Sequence, residues 1–259
     1  MSQKPFVSVL TPTYNRKEWF PMAIHCYKHQ TYPHNRMEWI ILDDSSEDQK
    51  VEELVNEVQK ELPNIRYIRL TERIKLGRKR NMLNKEAKGD IIVFQDDDDY
   101  YPPQRVSKSV FHLTGTRNDI AASSRMHIYF TFDGKITSVG PYGPNHSTAG
   151  TWSFKRKVLD DSPGFDDDAE KAEERRFLKD YKYPTYQMDP FDVILVMSHI
   201  RNTVDKNKLR ENPERCLMKD TGMNLKVFLK KDKWAYEFIT MMTARNQETL
   251  AKERIEKSE

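Results

Sequence analysis

The chain has 259 residues, of which 37% are hydrophobic, so it is long enough to bury a sizeable core. Its 43 basic residues nearly balance its 40 acidic residues, and the net charge of +3 gives no support for a nucleic-acid partner. The two cysteines, Cys26 and Cys216, lie far apart, which argues against a disulfide framework or a CxxC zinc site and favours a reducing, cytoplasmic compartment. No stretch approaches the ~20 apolar residues of a spanning helix, so no integral membrane segment is predicted.

The first part of the chain alternates short apolar runs with helical patterns. Such alternation is typical of βαβ units around a mainly parallel sheet. Strands are predicted at 6–10, 38–42, 65–70 and 90–94, and helices at 18–30, 48–62, 77–87 and 102–113. The last of these helices begins with two prolines, which are well tolerated in a first helical turn.

After residue 120 the sequence changes to patterns of short strands and loops. A β-hairpin is predicted at 120–139, because Asp133-Gly134 can adopt the positive φ of a tight turn. It is followed by a loop at 140–150, a strand at 151–156, a helix at 166–181, a strand at 193–198 and, from residue 213, helix that is expected to fray from about Gln247. We therefore predict one domain at 1–212 and a helical extension at 213–259.

Three polar segments follow predicted strands. They are TPTYNR at 11–16, LDDSSED at 42–48 and the four aspartates at 96–99. Ligands bind beyond the carboxyl ends of the strands in an open parallel sheet, and all three segments lie there. The sequence therefore predicts a ligand site at this edge.

The run of four aspartates is electrostatically unfavourable by itself. The carboxylates repel one another unless water, a cation or nearby Arg and Lys offsets the repulsion. In an extended chain Asp96 and Asp98 lie on one side, where a D-x-D pair can give hard oxygen ligands to Mg²⁺ or Mn²⁺. The alternative is a solvated acidic turn that caps the helix after Pro102.

Asp43 and Asp44 end the second strand. From this position a carboxylate can accept hydrogen bonds from a ribose or a base. The structural alternative is that the segment caps the next helix through Ser45, Ser46 or Asp48.

KLGRKRN, residues 75–81, is a basic loop that enters a helix. Diphosphate binding is one interpretation, because Gly77 permits a close backbone approach and a helix N-terminus carries partial positive charge. A solvated basic face is the other. The chain contains neither GxxxxGK[ST] nor GxGxxG, so P-loop and dinucleotide-binding folds lack their main signature.

In order and spacing, TPTYNR, LDDSSED, KLGRKRN and FQDDDD resemble the family 2 glycosyltransferases of GT-A fold. The resemblance covers residues 5–115 well and 120–203 loosely. It implies an α/β fold with a Rossmann-like, mostly parallel central sheet flanked by helices, and a small antiparallel hairpin region. It also implies a nucleotide-sugar-binding half at 1–115 and an acceptor-binding half at 116–212.

The resemblance assigns roles to residues of the first half. The donor would be bound by Thr11, Pro12, Thr13, Tyr14, Arg16, Asp43, Asp44, Lys75, Arg80, Asp96 and Asp97. Asp98, Asp96 and His199 would hold a Mn²⁺ or Mg²⁺ ion, with Asp98 as the better candidate for direct contact. For His199 a purely structural role is the alternative. Gln95 departs from the family, in which an aliphatic residue is usual.

The catalytic base and the acceptor site are expected in the second half. The family has an acidic pair, often Glu-Asp, where this chain has Glu173 and Glu174. Glu174 is the first candidate, because helical spacing places it on the face of Phe177. Asp166, Asp167 and Asp168 compete for the role, and an acid-rich first helical turn is the structural alternative. Trp152 is expected either to line the acceptor pocket or to belong to the core.

The implied reaction is inverting transfer of a sugar from a nucleoside diphosphate, with UDP the expected nucleotide, to an acceptor hydroxyl. The acceptor, whether a glycan, a protein or a small molecule, and the oligomeric state are not determined by the sequence. Two alternatives remain: a nucleotidyltransferase acting on a sugar phosphate, and a non-catalytic nucleotide-sugar-binding module.

Overall fold

A computed structural model describes residues 3–62, 64–169 and 174–256. The strands in these ranges are β1 (Val7–Thr13), β2 (Met37–Asp43), β3 (Ile65–Arg69), β4 (Ile91–Phe94), β5 (Ile120–Ala122), β6 (Met126–Phe130), β7 (Lys135–Val139), β8 (Ser153–Lys155), β9 (Thr185–Gln187), β10 (Leu195–Ser198) and β11 (Lys219–Asp220). The α-helices are α1 (Phe20–Lys28), α2 (Glu52–Gln59), α3 (Leu76–Glu86), α4 (Arg105–Gly115), α5 (Lys157–Asp161), α6 (Glu174–Phe177), α7 (Leu225–Leu229) and α8 (Lys233–Glu256).

The main sheet has the strand order β3-β2-β1-β4-β8-β5-β9 in the described chain. Strand β8 runs antiparallel to β4 and β5, and the remaining neighbours pair in parallel. The carboxyl ends of β1, β2, β4, β5 and β9 therefore meet at one edge. Because β8 runs the other way, the chain that enters it also lies at this edge.

The two central strands are buried on both faces. Every residue of β1 and β2 is buried, as expected for a parallel sheet covered by helices. On one face Trp39 stacks on Phe20 and Tyr27, with ring centroids 5.8 and 4.8 Å apart. On the other face Leu10 and Ile40 belong to a second apolar cluster. Because successive side chains of a strand point to opposite faces, β1 and β2 contribute to one apolar core on each side of the sheet.

A second sheet, of order β10-β6-β7-β11, contains the predicted hairpin. Strands β6 and β7 are antiparallel, and Gly134 has a φ of +71° at their turn. The terminal helices pack against this sheet and against α1. Tyr129 on β6 lies 3.2 Å from the hydroxyl of Thr243, and His25 on α1 lies 2.8 Å from Asp232.

Most predicted elements of the first half are confirmed, and two later predictions are wrong. Of the helix predicted at 166–181, residues 170–173 lie outside the described residues and Glu174–Phe177 form α6; the chain does not continue as helix to 181, because Lys179, Asp180 and Tyr181 have positive φ. Helix α8 does not end near Gln247, whose side chain donates to the carbonyl oxygen of Thr131 at 3.2 Å and ties the helix to the second sheet. None of the helices in the described ranges has the length and apolar character needed to cross a bilayer.

Gly89 tests the close contact between β1 and the turn that precedes β4. A Cβ atom at Gly89 would meet the backbone nitrogen of Ser8 and lie 2.7 Å from the carbonyl oxygen of Ile91. We expect G89A to lower the free energy of unfolding by about 2 kcal/mol or more, because backbone cannot yield as a flexible side chain can. Chemical denaturation measures the change.

The matched control is G115A. A Cβ at Gly115 meets nothing within 4 Å, so this substitution should change stability by less than about 0.5 kcal/mol. Equal stability of the two variants would contradict the packing described for Gly89.

Candidate functional site

Asp98 is the centre of a hydrogen-bonded group at the carboxyl edge of the main sheet. Its Oδ2 accepts from Arg16 Nε at 3.1 Å and from Asn202 Nδ2 at 3.0 Å, and lies 3.0 Å from His199 Nε2. Arg16 follows β1, Asp98 follows β4, and the other two follow β10. One carboxylate thus joins three separate segments of the chain.

These partners keep Asp98 charged. Burial alone would raise its pKa, but the hydrogen bond from His199 and the positive charge of Arg16 outweigh burial and hold the pKa well below its usual range. The His199 side chain is 0% exposed and stacks on Trp19, with ring centroids 4.3 Å apart. Burial lowers the pKa of His199 despite Asp98, so the imidazole acts as a neutral hydrogen-bond partner at neutral pH.

The two flanking aspartates are driven towards neutrality. Burial, and then the negative charge of Asp98, raise the pKa of Asp97 to about 7. Within the described chain, Asp97 Oδ2 is buried without a hydrogen-bond partner. The same two causes raise the pKa of Asp99 well above its usual value, although its Oδ1 accepts from Met197 N at 2.7 Å. The four aspartates can therefore lie together because Asp98 is ionised, while the raised pKa values of Asp97 and Asp99 favour their protonated forms.

Asp96 is the aspartate of the run that reaches the surface. Its side chain is 27% exposed and lies 3.2 Å from a guanidinium nitrogen of Arg80. The Asp96 backbone N–H donates to the Tyr101 hydroxyl at 2.9 Å, and that hydroxyl donates to the carbonyl oxygen of Gly150 at 3.1 Å. The predicted pair Asp96 and Arg80 therefore lies together at the edge.

Asp43 is structural, and the prediction that it holds the base and ribose is contradicted. Its carboxylate accepts from Ser45 N, Val51 N and the Tyr67 hydroxyl, at 2.8, 2.9 and 2.8 Å. Asp43 is 0% exposed, so no ligand reaches it. Helix α2 has no side-chain cap from Ser45, Ser46 or Asp48; Asp43 instead accepts from the N–H of Val51, the residue that precedes the helix.

Asp44 is also enclosed by protein. One oxygen pairs with Lys79 Nζ, the other accepts from Ile74 N at 2.8 Å, and the side chain is 0% exposed. Lys79, from the basic loop, thus neutralises a carboxylate of β2. Direct contact of Asp44 with a nucleotide does not occur in this arrangement.

Most of TPTYNR is buried. Thr11, Pro12 and Thr13 lie within β1, and the Thr11 hydroxyl accepts from Trp39 Nε1 at 2.8 Å. These three residues were predicted to help shape the donor pocket, and as buried residues of β1 they could do so only by fixing the backbone at this edge of the sheet. Tyr14 is half-buried, and the guanidinium of Arg73 lies 4.4 Å from its ring centroid.

A polar cavity of about 520 Å³ lies between the basic loop and the acidic segment at 166–168. Its walls are formed by Arg73, Ile74, Lys75, Arg78, Asp167 and Asp168. The close approach expected at Gly77 is made by protein, because Gly77 N donates to the carbonyl oxygen of Ala169 at 3.1 Å. Lys75 and Arg78 remain at the cavity, as the diphosphate interpretation requires.

Glu174 lies beside the aspartates, at the start of α6. Its Oε1 accepts from Ala149 N at 3.1 Å, and the next residue, Gly150, lies against Asp96. Phe177 is buried, as predicted. Glu173, the second candidate base, lies outside the described residues.

Trp152 belongs to the core, which was the alternative to acceptor binding. It is 0% exposed, its Nε1 donates to the Ser147 hydroxyl at 2.8 Å, and its ring stacks on Phe165. Its predicted place in the acceptor pocket is therefore wrong. The apolar residues that follow it in β8 continue the same core.

A metal ion would have to share its ligands with a bound substrate. In the described ranges no three His, Cys, Asp or Glu side chains form a ready-made metal site. Asp98 makes its protein contacts through Oδ2, which leaves Oδ1 for an ion, and Asp96 is partly exposed on the same run. Hard carboxylate oxygens of this kind fit Mg²⁺ or Mn²⁺, which usually take further ligands from substrate phosphates and water.

Three contributors to the site were not assigned by sequence reasoning. Asn202 donates to Asp98, the Tyr101 hydroxyl links Asp96 to Gly150, and the positive charge of Lys206 lowers the pKa values of Asp98 and Asp99. None of them belongs to a recognisable motif, and their sequence signal is limited to lying in the segments that follow β4 and β10.

The model of glycosyl transferase family 2 matches residues 8–174, more than half of the chain. The chain belongs to glycosyltransferase family 2. Solved structures agree with the predicted GT-A fold of this family. Mannosyltransferase PcManGT from Pyrobaculum calidifontis, in complex with GDP-Man and Mn²⁺, has a TM-score of 0.61 at 18% identity, over 78% of this chain and 60% of that one. S. aureus TarS 1–349 in complex with UDP has a TM-score of 0.59 at 19% identity, over 74% and 60%.

Curated relatives match a smaller region. The putative teichuronic acid biosynthesis glycosyltransferase TuaG of Bacillus subtilis is 31% identical over 107 residues, 41% of each chain. Glycosyltransferase AglE of Haloferax volcanii is 26% identical over 141 residues, 54% of this chain and 45% of the relative. The matched region thus covers less than half the length of these two relatives.

The protonated state of Asp97 predicts how stability depends on pH. Because folding raises this pKa from the usual ~4 to about 7, its contribution to stability is complete below pH 4 and is lost as pH rises towards 7. We expect D97N to lack that loss. Between pH 4.5 and pH 8 its unfolding free energy, measured with EDTA present, should gain about 2–4 kcal/mol relative to the wild type.

D160N is the control, because Asp160 is an exposed carboxylate on α5. Its difference from the wild type should stay within about 0.5 kcal/mol at both pH values. A D97N curve parallel to that of the wild type would show that Asp97 is ionised in the folded protein.

Proposed function

We propose that this family 2 protein transfers a sugar from a nucleoside diphosphate donor to an acceptor hydroxyl. The observation that carries the proposal is the arrangement of Asp96 with Arg80 and of Asp98 with Arg16, beside a basic cavity at the carboxyl edge of the sheet. TarS, a similar fold, has been solved with UDP and with UDP-GlcNAc, which supports UDP as the nucleotide.

The nucleotide would occupy the cavity between the basic loop and residues 166–168. Tyr14 offers a partly exposed ring at its border, and Lys75 and Arg78 offer positive charge for the diphosphate. The buried residues Asp43 and Asp44 act indirectly, because they fix the segments that carry these side chains. Arg80 would meet the diphosphate next to Asp96.

Asp98 and Asp96 would hold a divalent ion. His199 was predicted as a third ligand, but its side chain is buried with Nε2 3.0 Å from Asp98 Oδ2, so it would orient Asp98 instead. A bound Mn²⁺ or Mg²⁺ would supply neutralisation of the charge that develops on the leaving diphosphate. The Mn²⁺ in the PcManGT complex supports this choice of cofactor. Arg80 adds fixed positive charge at the same place, and needs no reorganisation because Asp96 already holds it.

Glu174 is the proposed general base. It would take the proton of the acceptor hydroxyl as that oxygen attacks the anomeric carbon opposite the leaving diphosphate, which inverts the configuration. Its contact with Ala149 N fixes the carboxylate next to Gly150 and Asp96. The base therefore lies close to the donor site before the acceptor binds.

We further propose a catalytic domain at 1–212 and a supporting extension at 213–259. The extension contacts α1 through Asp232, which directly precedes α8, and the second sheet through Thr243 on α8. A cytoplasmic location is proposed from the two separated thiols, Cys26 and Cys216, neither of which forms a disulfide.

The substitution E174Q tests the proposed reaction. A glutamine keeps the shape but cannot accept the proton, so kcat should fall by about 10²–10⁴-fold while donor affinity stays within about twofold. Release of UDP from a panel of UDP-sugars, with Mn²⁺ and with EDTA, measures the activity. Titration with UDP in the presence of Mn²⁺ measures donor binding.

E173Q is the comparison variant and should retain most of the wild-type rate. If E173Q rather than E174Q loses activity, the assignment of the base is wrong. Release of pyrophosphate from UTP and a sugar 1-phosphate, with no UDP released from UDP-sugars, would identify a nucleotidyltransferase. UDP-sugar binding without any turnover would identify a binding module.

A further inference from the structure

A second cavity lies at the same edge of the main sheet, next to β5 and β9. Its volume of about 520 Å³ falls within the range of about 300–1,000 Å³ that is usual for small-molecule sites. Residues that follow β5 and β9 form one side, and the loop after β7 forms the other side. Its walls include Arg125, Pro141, Tyr142, Pro144, Met188 and Pro190.

The cavity is connected to the D-x-D aspartates through two consecutive residues. A Cβ atom at Gly150 would lie 2.7 Å from Asp96 Oδ2, so Gly150 lies against Asp96, which belongs to the proposed donor site. The next residue, Thr151, accepts a hydrogen bond at its hydroxyl from Ser123 N at 3.2 Å, and Ser123 lines the cavity. Gly150 and Thr151 thus link the wall of the cavity to Asp96.

The apolar part of the wall suits a sugar ring. Tyr142 is 39% exposed, and its hydroxyl donates to the carbonyl oxygen of Cys216 at 3.0 Å, which fixes the ring. Pro141, Pro144 and Met188 add further apolar surface around it. Rigid aromatic and apolar walls of this kind accept the C–H face of a pyranose.

Arg125 is the positively charged side chain in the wall of this cavity. The side chain is exposed, and no carboxylate in the described ranges forms an ion pair with it. Gln187, the other long polar side chain of the wall, is already engaged. Its Nε2 donates to the carbonyl oxygens of Pro144 and His146, at 2.8 and 3.1 Å, and its Oε1 accepts from Ser124 N at 2.7 Å. Gln187 therefore stabilises the wall of the cavity through these hydrogen bonds, and the guanidinium of Arg125 is the group that can bind a ligand.

We propose that this cavity binds an acceptor sugar that carries a negative charge, either a carboxylate or a phosphate. Tyr142 would lie against the sugar ring, and Arg125 would pair with the anion, since a guanidinium matches the geometry of both groups. The proposal rests on the transferase function given above and names the substrate class of its acceptor side. The neighbouring sugar unit would present its hydroxyl to Glu174.

Binding of three probes to the full chain tests the proposal without any turnover. The probes are cellobiouronic acid, glucose 1-phosphate and neutral cellobiose, titrated in low salt and observed by ligand-detected NMR. The wild type should bind at least one of the anionic probes about five- to tenfold more tightly than cellobiose. The tighter of the two anionic probes identifies the charged group.

Two substitutions distinguish the effect of the Arg125 charge from the effect of the contact between the Tyr142 ring and the sugar. R125Q should lose the preference for the anionic probes and keep the affinity for cellobiose. Y142A should weaken binding of all probes about five- to tenfold. R117Q is the matched control, because Arg117 is exposed and precedes β5, at the opposite edge of the sheet; it should bind like the wild type.

Three results would overturn the proposal: equal binding of charged and neutral probes by the wild type, a preference that survives R125Q, or no binding of any probe. Titration of UDP with Mn²⁺ into the same proteins keeps this result separate from the donor site. UDP binding should be unchanged in R125Q. Its absence from the wild type would contradict the transferase function itself, whatever the acceptor probes do.

Discussion

The hydrogen bonds to the Asp98 carboxylate are the constraint on which the site and the fold both depend. Arg16 ties this carboxylate to the end of β1, and His199 and Asn202 tie it to the end of β10. Next to these side-chain contacts, Tyr100 and Leu195 exchange two backbone hydrogen bonds, of 3.1 and 2.9 Å. The acidic run is therefore the place where the two sheets are joined, as well as the candidate metal site.

Joining the sheets through carboxylates has an electrostatic consequence. Four full charges could not be buried together, and the structure resolves this by giving each aspartate a different environment. Asp98 is charged and held by a cation, Asp97 and Asp99 are driven towards the protonated state, and Asp96 remains partly exposed beside Arg80. A substrate or an ion that binds at this edge therefore meets one ionised carboxylate, Asp98, and the partly exposed Asp96, while the pKa values of Asp97 and Asp99 are raised.

The sequence predicted the parts of this arrangement that are encoded locally. The buried strands β1 and β2 carry their apolar pattern within seven residues, and the D-x-D pair follows a strand directly. The pairing of side chains that are distant in sequence could not be predicted from such local patterns. Lys79 belongs to a basic segment that suits phosphate, yet from α3 it pairs with Asp44, 35 positions away, because both side chains are buried where α3 packs on the end of β2.

The second half of the chain was harder to predict, because its elements are short and depend on packing. The segment 166–181 has helical composition, but Phe177 stacks on Phe165, with ring centroids 4.6 Å apart, and the chain turns out of the helix directly after it. Trp152 joins the same cluster and is unavailable to an acceptor. These aromatic residues belong to the core, whereas Tyr142 on the loop after β7 is exposed.

The most direct test of the central claim is the position of a manganese ion. A crystal grown with UDP and Mn²⁺ should give an anomalous peak in contact with the carboxylate of Asp98 or Asp96, with the diphosphate beside Arg80. An ion and a diphosphate bound elsewhere, with the hydrogen bonds of Asp98 to Arg16, His199 and Asn202 unchanged, would mean that the acidic run only joins the two sheets.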